Sequence, residues 1–160
     1  MMCGRRIALG TIMAALLALA ACATSPEDEQ RRIDMEADID EIMSYELDKT
    51  DFGEAKSCLS KSEYQSFRAL GDRHLLFYGR SDKLWVNVLR GRCTGLRDDS
   101  AFILDQTSAN RTCDMDRFEV VDRSLMTQGF AGTGATCVLG EFRPVAKAQL
   151  EEIETRLEMR

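Results

Sequence analysis

Histidine, proline and tryptophan are scarce in this chain: 160 residues hold one His, two Pro and one Trp. None of the six cysteines are spaced Cys-x-x-Cys, so the usual thiol-oxidoreductase motif is missing. With a single histidine besides, a zinc site lacks its ordinary ligands. No apolar run reaches the ~20 residues that a membrane-spanning helix requires. Basic charge is short as well, with 21 Lys+Arg against 27 Asp+Glu and a net charge of −6. Nucleic-acid binding rests on basic patches that neutralise phosphates, so that class of partner is excluded. An anionic lipid surface would also repel such a chain.

The first thirty residues carry an address. Arg5 and Arg6 precede an apolar run from Ile7 to Ala21, "IALGTIMAALLALAA". That run is too short to span a bilayer, and it predicts a signal peptide over residues 1–21. Its end, Leu19-Ala20-Ala21-Cys22, resembles the lipobox of bacterial lipoproteins at all four positions. The resemblance implies cleavage just before Cys22 and attachment of acyl chains such as palmitate to that cysteine. One chain holds a protein marginally, whereas several, at ~0.8 kcal/mol per buried CH₂, hold it firmly. Ala23, rather than Asp, after the lipidated cysteine implies the periplasmic face of the outer membrane. Without its leader the chain would carry 19 Lys+Arg and 27 Asp+Glu, net −8.

Four cysteines follow Cys22: Cys58, Cys93, Cys113 and Cys137. An even number in an oxidising compartment reads as two disulfides. Three pairings are open. The expected one joins Cys93 to Cys113, closing a short local loop, and Cys58 to Cys137, tying the opening of the folded region to its last strand. Each would contribute about 3–4 kcal/mol by restricting the unfolded chain.

Residues 24–30 read as a polar tether. From Glu27 to Leu47, apolar Ile39, Ile42, Met43 and Leu47 recur at helical spacing, and "DKTDFGE" then breaks the pattern. Between Cys58 and Phe142 the segments "HLLFYG", "KLWVNVL", "AFILDQ", "RFEVVD" and "TCVLGEF" are short, aromatic or β-branched, and separated by turn residues. "YGRSDKLW" predicts a hairpin turning at Gly79–Asp82, with Leu84, Val86 and Val88 on one face and Trp85 and Asn87 on the other. Pro144 precedes a second helical stripe of Leu150, Ile153 and Leu157. The expected fold is therefore mainly β, a small antiparallel barrel or sandwich, with flanking N- and C-terminal helices and two disulfides. Its divisions are a leader over 1–21, a lipidated tether and helix over 22–50, a disulfide-bonded β domain over 51–145 and a C-terminal helix over 146–160.

In this order behind a lipobox, "CLS", "LWVNVLRGRCTGL", "RTCDMDRFEVVD" and "CVLGEFRPV" resemble a family of small Gram-negative lipoproteins, domain of unknown function 6491. The resemblance covers Cys58 to Val145, and the two helices lie outside it. It implies the β fold and the disulfides, and it transfers no catalytic residue.

Several constellations carry potential chemistry. Asp114 and Asp116 flank Met115, and on a regular strand both carboxylates would point the same way, toward one divalent cation. For Asp116 the favoured reading is a structural acid that accepts backbone N–H bonds or pairs with Arg117 or Arg92. His74 has the near-neutral pKa of a general base, yet no serine or free thiol stands near it, and a lone surface histidine is expected. Asp98-Asp99 reads as a solvated turn. "GFAGTG" precedes a strand rather than a helix N-terminus, so it makes no phosphate cradle. Phe77, Tyr78 and Trp85 form either an exposed aromatic patch or core, and core is the favoured reading.

The expectation is a non-enzymatic envelope lipoprotein without cofactor or metal, binding or scaffolding an envelope protein. Two alternatives stand beside it. One is a metal-dependent or acid/base hydrolase centred on Asp114 and Asp116 with His74. The other is an inhibitor of a cell-wall enzyme, by analogy of architecture alone.

Overall fold

The computed structural model describes residues 25–121 and 134–159. The expected leader, Cys22 with Ala23, and most of the "GFAGTG" loop lie outside the described residues. The elements are α1 (Pro26–Ser44), α2 (Lys49–Phe52), β1 (Cys58–Ser60), β2 (Tyr64–Ala69), β3 (His74–Gly79), β4 (Leu84–Val88), β5 (Ala101–Asp105), β6 (Arg111–Cys113), β7 (Arg117–Val121), β8 (Thr136–Val138), β9 (Phe142–Val145) and α3 (Lys147–Glu158). By its contacts the chain divides after Arg31. Of the first unit, residues 25–31 are described; they form the opening turns of α1. Apart from the first turns of α1, everything discussed below belongs to the second unit.

Helix α1 begins at Pro26, one residue before the expected Glu27, so most of the segment expected as a tether is helical, and it ends at Ser44, short of Leu47. The Ser25 hydroxyl accepts the Asp28 N–H at 3.1 Å, Pro26 occupies the first helical position, and Glu27, Asp28 and Glu29 sit at the positive end of the dipole. Ile39, Ile42 and Met43 form its buried stripe. The expected break at "DKTDFGE" contains the single turn α2. Its cap is Asp48, which accepts the Thr50 N–H at 2.8 Å and the Thr50 hydroxyl at 2.7 Å, and Gly53 closes it at φ 84°. At the other end of the chain, Gln149 reaches back to accept the Ala146 N–H at 3.0 Å and so starts α3.

All strands pair antiparallel, in three sheets ordered β2-β3-β4-β9, β5-β7-β8 and β1-β6. The four-stranded sheet is the middle of three layers. On one face Leu75, Phe77, Trp85 and Phe142 pack with Leu59, Phe118, Val120 and Leu139 from the two smaller sheets and their connections. On the other, Leu76, Val86 and Val145 pack with Ile39, Ile42 and Met43 of α1 and with Leu150 and Ile153 of α3. Both faces of β3 are thus covered, which is why "HLLFYG" opens as an unbroken apolar run rather than an alternation. The parity expected in β4 is observed, with Val86 toward the helices and Trp85 toward the small sheets. The fold class is as expected, mainly β with flanking helices, and it is layered rather than closed into a barrel by one continuous ladder.

The helices are not appendages, however. Ile39, Ile42 and Met43, expected in a tether-and-helix segment, share one core cluster with β3, β4 and α3, so from Arg32 onward α1 and the sheets form one compact unit.

The hairpin falls where predicted. Ser81 and Asp82 have φ of 57° and 60°, a type I′ turn whose twist matches that of the flanking strands. Gly79 admits no side chain, because a Cβ there would stand 2.4 Å from both the Lys83 carbonyl oxygen and the Trp85 ring. Buried Asn87 is satisfied by backbone: its amide nitrogen donates to the Gly140 carbonyl at 2.6 Å, and its oxygen accepts the Gly140 N–H at 2.9 Å. This ties β4 to the β8–β9 connection.

The disulfide pairing differs from expectation. Cys58 joins Cys113 and Cys93 joins Cys137, rather than Cys58 with Cys137 and Cys93 with Cys113. The two bridges are crossed along the chain instead of nested. Strand order decides this. Strand β1 pairs with β6, with Cys58 directly opposite Cys113. The segment after β4 lies along β8, where the Arg90 N–H donates to the Val138 carbonyl at 3.1 Å, and this brings Cys93 to Cys137.

Candidate functional site

An open cleft of 510 Å³ lies where the end of β2, the segment after Cys93 and the last turns of α3 come together. Ala69, Leu70 and Leu96 form a buried apolar floor, and half-buried Met35 and Leu157 extend it. Each has a local origin. Leu157 is the last residue of the α3 stripe, and Leu96 is held by the turn in which its N–H donates to the Cys93 carbonyl at 3.2 Å. The Cys93–Cys137 bridge therefore anchors this wall to β8.

The rim is charged and mostly committed. The Arg68 Nε donates to the Tyr78 hydroxyl at 2.8 Å, and its guanidinium pairs with Glu154. Asp72 pairs with Arg32 at 3.2 Å, and Arg97 with Asp99 at 3.3 Å. Asp98, exposed as the solvated-turn reading predicts, stands on this rim with Glu158.

Beside the cleft, and sharing Met35, Gly71 and Asp72 with it, lies a small pocket that His74 lines. His74 is fully buried, which corrects the expected surface histidine: β3 starts beneath α1, and helix packing covers its first residue. The His74 Nε2 is 3.2 Å from the Asp40 carboxylate, and its Nδ1 has no partner among the described residues. Burial pushes the imidazole pKa below its ordinary value; Asp40 and Glu36 oppose the shift, and Arg73 adds to it. Arg92 and Glu36 pair across the same seam at 2.9 Å.

Asp114 and Asp116 are engaged by different partners instead of converging on one point. The parity argument requires a regular strand, and Met115 breaks it at φ 70°. Asp114 pairs with Arg90 at 3.2 Å. Asp116 is buried and accepts the Cys113 N–H at 2.8 Å, the Thr107 hydroxyl at 2.7 Å and the Thr107 N–H at 3.2 Å. Burial raises its pKa, but these bonds outweigh that and hold it below the ordinary carboxylate value. It is the structural acid that the sequence favoured, with backbone and Thr107 as partners rather than Arg117 or Arg92. His74 shares no partner with either aspartate. Among the described residues, no group of three or more His, Cys, Asp or Glu is arranged to hold a metal ion. Phe77 and Trp85 are core, and Tyr78 is half-buried against the helix-side cluster.

Sequence reasoning missed the cleft because its residues are far apart in the chain. Only Leu157 and Asp98 carried a signal, one as a stripe position and one as a turn acid.

These features define a small, disulfide-bonded, antiparallel β domain whose central sheet lies between a helical layer and two minor sheets, with an open cleft of mixed character at its edge. The chain belongs to a family of unknown function, DUF6491, whose model matches residues 5–159. That match includes both helices, which the sequence resemblance had left outside. No curated protein and no solved structure matches the chain.

Proposed function

We propose that this protein is a non-enzymatic binding or scaffolding module, lipid-anchored through Cys22 at the periplasmic face of the outer membrane, with an envelope protein as its partner. The observation that carries the binding half is the open 510 Å³ cleft, within the ~300–1,000 Å³ range of ligand sites. Its apolar floor favours association, and its charged rim supplies selectivity. The side chains a hydrolase would have used are engaged elsewhere: Asp114 with Arg90, Asp116 with Thr107 and Cys113, His74 with Asp40. The lipobox residues Leu19 to Cys22 carry the anchoring half.

Both halves are open to test in cells. Cys22→Ser should move the protein from the membrane fraction to the soluble fraction, and unchanged membrane association would defeat the anchor. A photo-crosslinking residue at Arg97, on the cleft rim, should capture a discrete envelope protein, while one at exposed Met115 should not. Equal capture at both positions, or none at Arg97, would defeat the cleft as the working surface.

A further inference from the structure

Within that binding reading, we infer that the cleft takes a basic peptide segment, one with a lysine or arginine next to an aliphatic side chain. The charge balance of the rim is the first argument. Its charged side chains are Arg68 and Arg97 against Asp72, Asp98, Glu154 and Glu158, a balance of −2. Including the outer partners, Arg32 of Asp72 and Asp99 of Arg97, leaves the balance at −2. Both basic groups are held by acids, Arg68 by Glu154 and Arg97 by Asp99. Asp98 and Glu158 have no side-chain partner among the described residues, and the described residues of the rim thus offer two carboxylates and no uncommitted cation to an incoming group.

The floor is the second argument. Half-buried Met35 and Leu157 leave apolar surface above the buried Leu70 and Leu96, and it rewards an aliphatic side chain by about 25 cal/mol per Å² covered, whereas a small, strongly hydrated cation gains nothing there. A ligand that uses both rim and floor must carry hydrocarbon and positive charge close together, as a Leu-Lys or Leu-Arg pair does. A phospholipid headgroup fits poorly, since its phosphate would face Asp98 and Glu158. The cleft is open to solvent, which admits a continuing chain, and its volume suits a few residues.

Calorimetric titration of the full-length chain in detergent, with four short peptides or amines, tests the inference. Acetyl-Leu-Lys-Leu-Arg-amide should bind, and binding should weaken as salt is raised. Acetyl-Leu-Glu-Leu-Glu-amide should give no heat at millimolar concentration. Acetyl-Ser-Lys-Ser-Arg-amide and spermidine should each bind about tenfold more weakly than the first peptide. The double variant Asp98→Asn with Glu158→Gln, both exposed positions, should keep its circular dichroism and lose about tenfold in affinity for the first peptide, ~1.4 kcal/mol. The inference is overturned if the first peptide fails to bind, if the acidic peptide binds as well, if the serine peptide or spermidine matches it, or if the double variant is unaffected. Capture of a partner from Arg97 in cells without binding of the first peptide would retire this ligand chemistry and leave the binding module standing. Peptide binding without cellular capture would do the reverse.

Discussion

One face of the four-stranded sheet is aromatic and covalently stapled; the other is aliphatic and held by helices that no covalent bond ties down. On the first, Phe77 stacks on Phe67 at 5.0 Å and meets Phe142 edge-on at 5.1 Å, and the Cys93–Cys137 bridge lies within the same core cluster. On the second, Ile39, Ile42, Leu150 and Ile153 cover Leu76 and Val86, with ion pairs such as Arg92–Glu36 and Arg156–Asp38 along the seams. Exposed and half-exposed pairs of that kind add little, about 0–1 kcal/mol each. The helical layer should therefore open first under stress, while the stapled side keeps its shape. The proposed cleft lies where the two regimes meet, with Leu96 on a wall anchored by the disulfide and Leu157 on the last turn of a helix.

The largest effect should come from breaking the staple. Replacing Cys93 and Cys137 by alanine frees a 44-residue separation and should cost about 4 kcal/mol, measured by denaturant unfolding. A loss smaller than that of any helix-side variant would reverse the ranking of the two faces. Next comes Ile42→Ala, which empties part of the helix-side core and should cost about 3 kcal/mol. Hydrogen exchange should then accelerate in α1 and α3 before it does in β7 and β8; uniform acceleration would show that the two faces open together.

The smallest effect is a matter of pH. The buried His74 has a folded pKa below its unfolded value of about 6.5. Above 6.5 both states are neutral at this site, and the full stability is present. As pH falls from 6.5 toward the folded pKa, the unfolded state takes up the proton first, so stability drops through that window and levels off below it. Melting temperature should follow that course in the native protein, and the step should vanish in His74→Gln. A step that persists in the variant would assign it to another group.

Much of the architecture was legible because burial leaves periodic marks. The α3 stripe, the alternation in "KLWVNVL" and the apolar run in "HLLFYG" each correspond to one covered face, two differently covered faces, or a doubly covered strand. Strand β2 was not, since "YQSFRA" interleaves Gln65, Ser66 and Arg68 with its apolar residues and is fully buried only at Ala69. Nor was the strand break at Met115, whose positive φ separates Asp114 from Asp116.

By itself the sequence determined the class of fold, both flanking helices, the position of the hairpin and the structural role of Asp116, because each depends on residues close together in the chain. Only the tertiary structure decided which cysteines join, that His74 is buried, and that a cleft exists at all. Those outcomes depend on strand order, β1 beside β6 and the segment after β4 beside β8, and on α1 lying over β3. Neighbours of that kind are set by the packing of distant segments, which leaves no period to read.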